Sequence, residues 1–274
     1  MTAPHDGQPH DGLSAADRAS GAPRGLTPLH AALVLLSFSA GCADAFAFLA
    51  LNGTFTANMT GNLVLAAMFT RAGFPTTVTC ALLAVVVFAV VLYVGFRLTR
   101  TTDATSTPAE TGAKPDAAPS AGRARGFVIR FVLVPSLVAQ AVAAVVWLVG
   151  WRDVVLPVQC AVIGLSAAAL ALQTVAAKKL SDVGGVTTTY VTGTLTTTMQ
   201  ELAERDDRGQ GIRVLSIVAL PAGALAATAL VHLASWAGPL LPLAISAVAT
   251  WIAHAALRSP SPPPSPASTL DSSR

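Results

Sequence analysis

One carboxylate, Asp44, lies inside an apolar run long enough to cross a bilayer, Leu29–Leu51 (LHAALVLLSFSAGCADAFAFLAL). That run gives roughly 34 Å of helix at about 1.5 Å per residue. An acid at such depth costs on the order of 2.5–3.5 kcal/mol, so it faces a polar cavity or a partner. A polar, Gly-rich stretch follows, Asn52–Asn62 (NGTFTANMTGN). An acid in a span beside an interrupted segment is the pattern of a transport site. Asp44 is therefore a candidate for proton coupling or solute contact; the plainer role is a hydrogen-bond partner that holds the next loop. Asn58, Thr60, Gly61 and Asn62 are candidates for lining the site. Thr and Asn cap helix starts, whose free N–H groups attract electron-rich groups. Their plainer role is to satisfy a buried loop. Farther on, Gln173 and the hydroxyl-rich run with Thr188, Tyr190, Thr192, Gly193 and Thr194 offer a surface that could replace a solute's hydration shell. Helix packing is their plainer use, as it is for the lone Gln140.

These residues sit in a chain that is 53% hydrophobic and 11% charged, with a mean hydropathy of +0.62. Soluble domains carry about a quarter charged residues, so this is a membrane protein. The small basic excess reports membrane orientation, and no nucleic-acid motif accompanies it. No nucleophile–base pair, zinc-protease motif, phosphate loop or dinucleotide fingerprint appears, so no enzyme is expected. Cys42, Cys80 and Cys160 stand apart within apolar spans, the pattern of buried small residues. No cofactor or metal is implied. Residues 1–28 hold no apolar core, so the first span is expected to act as an uncleaved signal-anchor. Trp147, Trp151, Trp236 and Trp251 lie near span ends, as interfacial anchors do.

Six stretches approach spanning length: about 29–51, 76–98, 127–150, 154–177, 212–236 and 240–257. Two others, near 57–70 and 187–200, are too short or too polar. Residues 1–28, 100–126 and 258–274 read as a cytoplasmic N-terminal segment, a loop and a Pro/Ser-rich tail, all disordered. They flank or interrupt one membrane domain, 29–257. Met59-Thr-Gly-Asn-Leu63 aligns with Val191-Thr-Gly-Thr-Leu195, and each copy follows a long span and precedes a short helix. The halves, about 29–150 and 154–257, thus repeat one order of elements. The short helices are expected at Leu63–Phe69 and Leu195–Met199.

Positive charge decides what the short segments do. With a cytoplasmic N-terminus and both segments re-entrant, fifteen of the seventeen Lys and Arg lie inside, all but Arg71 and Arg152. With both segments crossing fully, the split is nine to eight. The positive-inside rule favours the first arrangement. Three spans per half then make the repeat inverted. The expected fold is an all-α membrane protein with six transmembrane helices, two short re-entrant half-helices and an inverted internal repeat. Both termini are cytoplasmic.

Gly41-Cys-Ala-Asp44, Phe46–Leu51 and Thr56-Ala-Asn58-Met-Thr-Gly-Asn62 resemble the signature of the YoaK family of bacterial membrane proteins. Leu172-Gln173 and Thr188-Thr-Tyr-Val-Thr-Gly193-Thr-Leu195 resemble its second-half motif. The resemblance spans about residues 29–257. It implies a permease-like domain of unknown function in the bacterial inner membrane, and supplies no substrate. Thr194 stands where the first half has Asn62, so the two motifs differ chemically. The expected function is a permease for a small polar solute, with protons as a candidate coupling ion and the lipid bilayer as its setting. A homo-oligomer is compatible with this reading. The alternatives are a passive channel with opposed half-helices, and a non-transporting scaffold or sensor.

Overall fold

The computed structural model of the chain describes residues 27–104, 126, 128–181 and 210–258. Among these, every regular element is a helix: α1 Pro28–Ala50, α2 Met59–Ala67, α3 Phe74–Ala104, α4 Val134–Gly150, α5 Leu156–Ser181, α6 Gln210–Leu233 and α7 Leu240–Arg258. A π-helical turn, Ile129–Leu133, leads into α4, and a 3₁₀ turn, Ser235–Ala237, precedes α7. Six helices are long and apolar enough to cross a membrane; α2 is the short one. The third helix continues to Ala104, beyond the expected end of its span near residue 98.

Local chemistry explains the ends. Thr27 caps α1, accepting from the His30 N–H, with Pro28 at the first position, where a missing N–H costs nothing. Pro135 cannot bond back into the preceding turn, and the chain widens to a π-helix just before it. The short helix begins at Met59, four residues earlier than expected. Asn58 is its cap, its Oδ1 accepting from the Gly61 N–H at 3.1 Å. Thr60, Gly61 and Asn62 therefore lie within its first turn, not before it. The second short segment, with its helix expected at Leu195–Met199, lies outside the described residues.

More than half of α1 and of α5 is buried, against 22–44% for the other spans. These two form the centre. The first packs mainly on α6 and α7, the fifth mainly on α3 and α4. Directions follow from the pairings. Cys80 and Cys160 share one apolar cluster, and Gly95 lies against Val175, so α3 and α5 run parallel. Gly41 lies against the Leu220 carbonyl, and Phe46 packs beside Val231, so α1 and α6 are parallel too. Ser39 meets Pro242 and Ser246 while Leu33 shares a cluster with Ala253, which sets α7 antiparallel to α1.

Two apolar clusters occupy the ends of the bundle. One gathers Leu33, Leu36, Val132, Val175 and Ala253; the other gathers Phe46, Leu51, Phe88, Trp147 and Ile163. Between them, on α1, α5 and α7, lies a belt of buried polar residues: Ser37, Ser39, Gln173, Thr174 and Ser246. The exterior is apolar, with Val86, Val90, Tyr93, Phe131, Leu225 and Trp251 exposed, as a lipid-facing surface requires. Trp147 departs from its expected interfacial role. It is buried, edge-on to Phe46 at 5.0 Å, with Nε1 donating to the Trp236 carbonyl at 3.1 Å. Its partner lies on a distant segment, which residue spacing cannot reveal.

Candidate functional site

The site is built where the chain leaves α1. Asn52 (φ 60°) and Gly53 (φ 72°) are successive left-handed residues that reverse the backbone. Gly is favoured at the second because its φ disfavours other residues, and the Arg71 guanidinium covers the space a Cβ would take. Residues 54–58 then run back along the last turns of α1. Phe55 stacks on Phe48 with ring centroids 5.0 Å apart.

This return brings three consecutive N–H groups to Asp44. Its Oδ1 accepts from the N–H groups of Thr56 (2.7 Å) and Ala57 (2.6 Å) and from the Thr56 hydroxyl (3.3 Å). Its Oδ2 accepts from the Asn58 N–H at 3.1 Å. Asp44 stands six residues before the end of α1, so these donors sit about 9 Å inside that end at roughly 1.5 Å per residue. The acid thus holds the loop, the plainer of its two sequence-level roles, and α2 starts at that depth. The start of α3 lies beside the end of α1: Asn52 Nδ2 donates to Thr77 Oγ1 at 3.3 Å.

Asn62 is also a clamp. Its Oδ1 accepts from the Phe55 N–H at 2.9 Å and its Nδ2 donates to the Phe55 carbonyl at 2.8 Å. It is fully buried and does not line the cavity, contrary to the expectation from sequence. The sharp turn needs both of its amide atoms. Gly61 packs under the Phe55 ring, which a Cβ would approach to 2.9 Å.

Asp44, Asn58, Thr60, Gly61 and Gln173 do come together. They line one cavity of about 1040 Å³ bounded by α1, α2, α3, α5 and α6. Thr188, Tyr190, Thr192, Gly193 and Thr194 lie outside the described residues. Two polar residues that sequence reasoning missed, Ser37 and Thr174, also face it. A signal existed: Ser37 is seven residues, two helical turns, before Asp44 and so on the same face. The rest of the wall is apolar, including Leu36, Val85, Phe88, Leu92 and Leu220.

A relay fixes Gln173. Its Nε2 donates to Ser246 Oγ at 3.0 Å, the two serine hydroxyls of Ser246 and Ser39 lie 2.7 Å apart, and Ser39 donates to the Pro242 carbonyl at 2.9 Å. With Ser39's proton used on that carbonyl, Ser246 must donate to Ser39 and accept from Gln173. One of the two amide N–H groups is therefore committed. The Oε1 of Gln173 is buried, with no partner among the described residues. Gln140 resembles it: both amide atoms lack a partner among the described residues, and it lines a separate cavity of about 20 Å³ with Ser166, Phe46 and Pro242, room for one water molecule.

The chain matches the family model described as "Protein of unknown function (DUF1275)" over residues 32–252. It belongs to that family, with which the YoaK resemblance agrees. No curated protein and no solved structure matches it.

Proposed function

We propose that this member of a family without an assigned function is a permease of the bacterial inner membrane, with six spans, cytoplasmic termini and a small solute bearing a polar group as its cargo. It is not an enzyme on this reading. The observation that carries the proposal is the mid-bundle cavity, where Asp44, the start of α2 and Gln173 meet inside an apolar exterior. Irregular backbone at membrane depth is tolerated where it lines such a cavity.

Two features support the re-entrant segment and inverted repeat that the proposal includes. The segment between α1 and α3 starts about 9 Å inside the end of α1 and returns to it, with Asn52 bonded to Thr77. The packing is also paired across the halves. Helix α1 rests on α6 and α7 as α5 rests on α3 and α4, and both α1–α6 and α5–α3 are parallel pairs. A half-turn exchanging the halves maps each pairing onto the other.

A passive channel is the second reading, favoured by one observation. The Asp44 carboxylate is engaged by four donors of its own loop, a structural duty that needs no proton exchange and so suits a channel. Flux into liposomes containing the purified full chain tests the proposal against a panel of cationic, neutral and anionic small solutes. Uptake that saturates with solute concentration supports the permease; non-saturating flux supports the channel. No flux of any class from folded protein would leave a scaffold or sensor.

A further inference from the structure

Many hydroxyls in these spans are spent on the protein itself. Thr99, Thr174, Thr228 and Thr250 donate to the carbonyl four residues back. Ser39, Ser136 and Ser246 pair with groups on other helices. Ser37 does neither. It is 7% exposed and has no hydrogen-bond partner among the described residues. The hydroxyls of Thr54 and Ser216 also lack partners there, but no open space reaches them. The Ser37 hydroxyl is accessible, on the wall of the large cavity. A nearly buried polar group left unpaired is costly, and open space beside it admits a partner.

The wall sets the shape of that partner. On α1 it follows one face through Ser37, Ala40 and Asp44, on α3 through Val85, Phe88 and Leu92, and on α5 from Leu170 to Ala177. Each stretch covers two helical turns, so the cavity is a slot about 10 Å long. One end holds Asp44, Asn58 and Thr60, the last two exposed. Asp44 Oδ2 receives only the Asn58 N–H and keeps capacity for another donor. The other end holds the Ser37 hydroxyl beside Leu36, Leu92 and Ala177, which share one apolar cluster. Between the ends the wall is apolar at Ala40, Phe88 and Ala89. The Thr174 hydroxyl there is spent on the Leu170 carbonyl, and the Gln173 amide bonds to Ser246 on α7, a helix with no described residue on this wall.

We propose that the slot binds a linear, uncharged solute with a hydroxyl at each end and an apolar middle, one hydroxyl donating to Asp44 Oδ2 and the other bonded to Ser37 Oγ, two helical turns away. This rests on the permease reading for its physiological meaning, since it names the class of solute that the same cavity takes. A solute polar along its whole length would leave its middle groups facing alanine and phenylalanine, and a doubly charged one would set its second charge beside a lone hydroxyl. An alkanol of the same length would leave the Ser37 hydroxyl unmet.

Diols with terminal hydroxyls, from butanediol to decanediol, are compared with straight-chain alkanols of equal carbon number. Binding is read by saturation-transfer NMR on the full chain in lipid nanodiscs, with empty nanodiscs as background. At the length that fits, the diol is expected to bind about fivefold more tightly than its alkanol, the effect of one added hydrogen bond. Ser37→Ala strands no described protein group, so the chain should fold. It should bring the diol down to the alkanol's affinity and leave the alkanol unchanged, whereas Asp44→Asn should weaken both. A diol no tighter than its alkanol at every length, undiminished diol binding in either variant, or no binding of any diol to folded protein overturns the inference. Liposome flux of the solute panel reads out the permease separately. Diol binding without flux of any solute would uphold the site and sink the permease; saturable flux of other solutes without diol binding would do the reverse.

Discussion

Asp44 and Asn62 divide the work of holding one loop, and their substitutions should differ in kind. In Asp44→Asn the amide oxygen can keep the three donors now on Oδ1, while the NH₂ faces the Asn58 N–H. One hydrogen bond is lost, about 1–3 kcal/mol, so folding and expression are expected to survive. A coupled proton would be lost with it. Accumulation of solute against its gradient, driven by an imposed pH difference, should disappear while downhill exchange persists. Unchanged accumulation would show that coupling does not run through this acid. Asp44→Leu strands all four donors and should fail to give folded protein on size exclusion in detergent. Asn62→Ala leaves the Phe55 N–H and carbonyl both unmet in a fully buried place. A loss of roughly 1–3 kcal/mol for each group is expected, read as a lowered thermal midpoint, whatever the transport activity. Asn62→Asp should be no better, because its second oxygen would face the Phe55 carbonyl.

Among the elements, the α1–α6 crossing is the tightest. A Cβ on Gly41 would collide with the Leu220 carbonyl oxygen, and one on Gly223 with the Phe38 carbonyl oxygen. Each glycine thus sits over the carbonyl three residues before the other, a reciprocal contact that only close backbones allow. Cys42 reinforces it, its Sγ donating to the Gly223 carbonyl at 3.2 Å. Backbone atoms cannot swing aside as a side chain can. Gly41→Ala and Gly223→Ala should therefore each destabilise by about 1–3 kcal/mol, measured as loss of the monodisperse peak after mild heating. Gly164→Ala, where a Cβ would meet nothing within 4 Å, serves as the control on α5 and should change nothing. Equal behaviour of all three would remove the close crossing from the account.

For the whole molecule, the decisive property is its orientation. With native cysteines removed, single cysteines at Arg71, Asp153, Asp182 and Ser235 should report it. Ser235 is exposed and precedes α7, whereas a side chain at the neighbouring Gly238 would meet the Phe46 ring. An impermeant thiol reagent outside intact cells should label positions 71, 153 and 235 and spare 182. Labelling at 182, or none at 71, would contradict six spans with a re-entrant first segment. The same arrangement explains the charge pattern, since Arg71 and Arg152 are the two basic residues it leaves outside.

What the sequence alone determined is what depends on neighbours along the chain. Six spans were legible because spanning length and apolarity are local sums. Asp44 was legible as unusual because its whole context is apolar, and its partners lie only 12–14 residues away, across one reversal. The start of α2 was misread by four residues: Asn58 and Asn62 are the same residue type, and only the fold made one a cap and the other a clamp. Everything that pairs distant helices was left to the tertiary structure. Cys80 and Cys160 read as isolated and are in contact; Trp147 read as interfacial and is buried. Gln173 read as one more polar residue in a span. Its meaning comes from Ser39 and Ser246, 207 residues apart in the chain and 2.7 Å apart in space, which hold its amide nitrogen. No periodicity encodes that choice, because a hydrogen bond's direction is set by the other end of the relay.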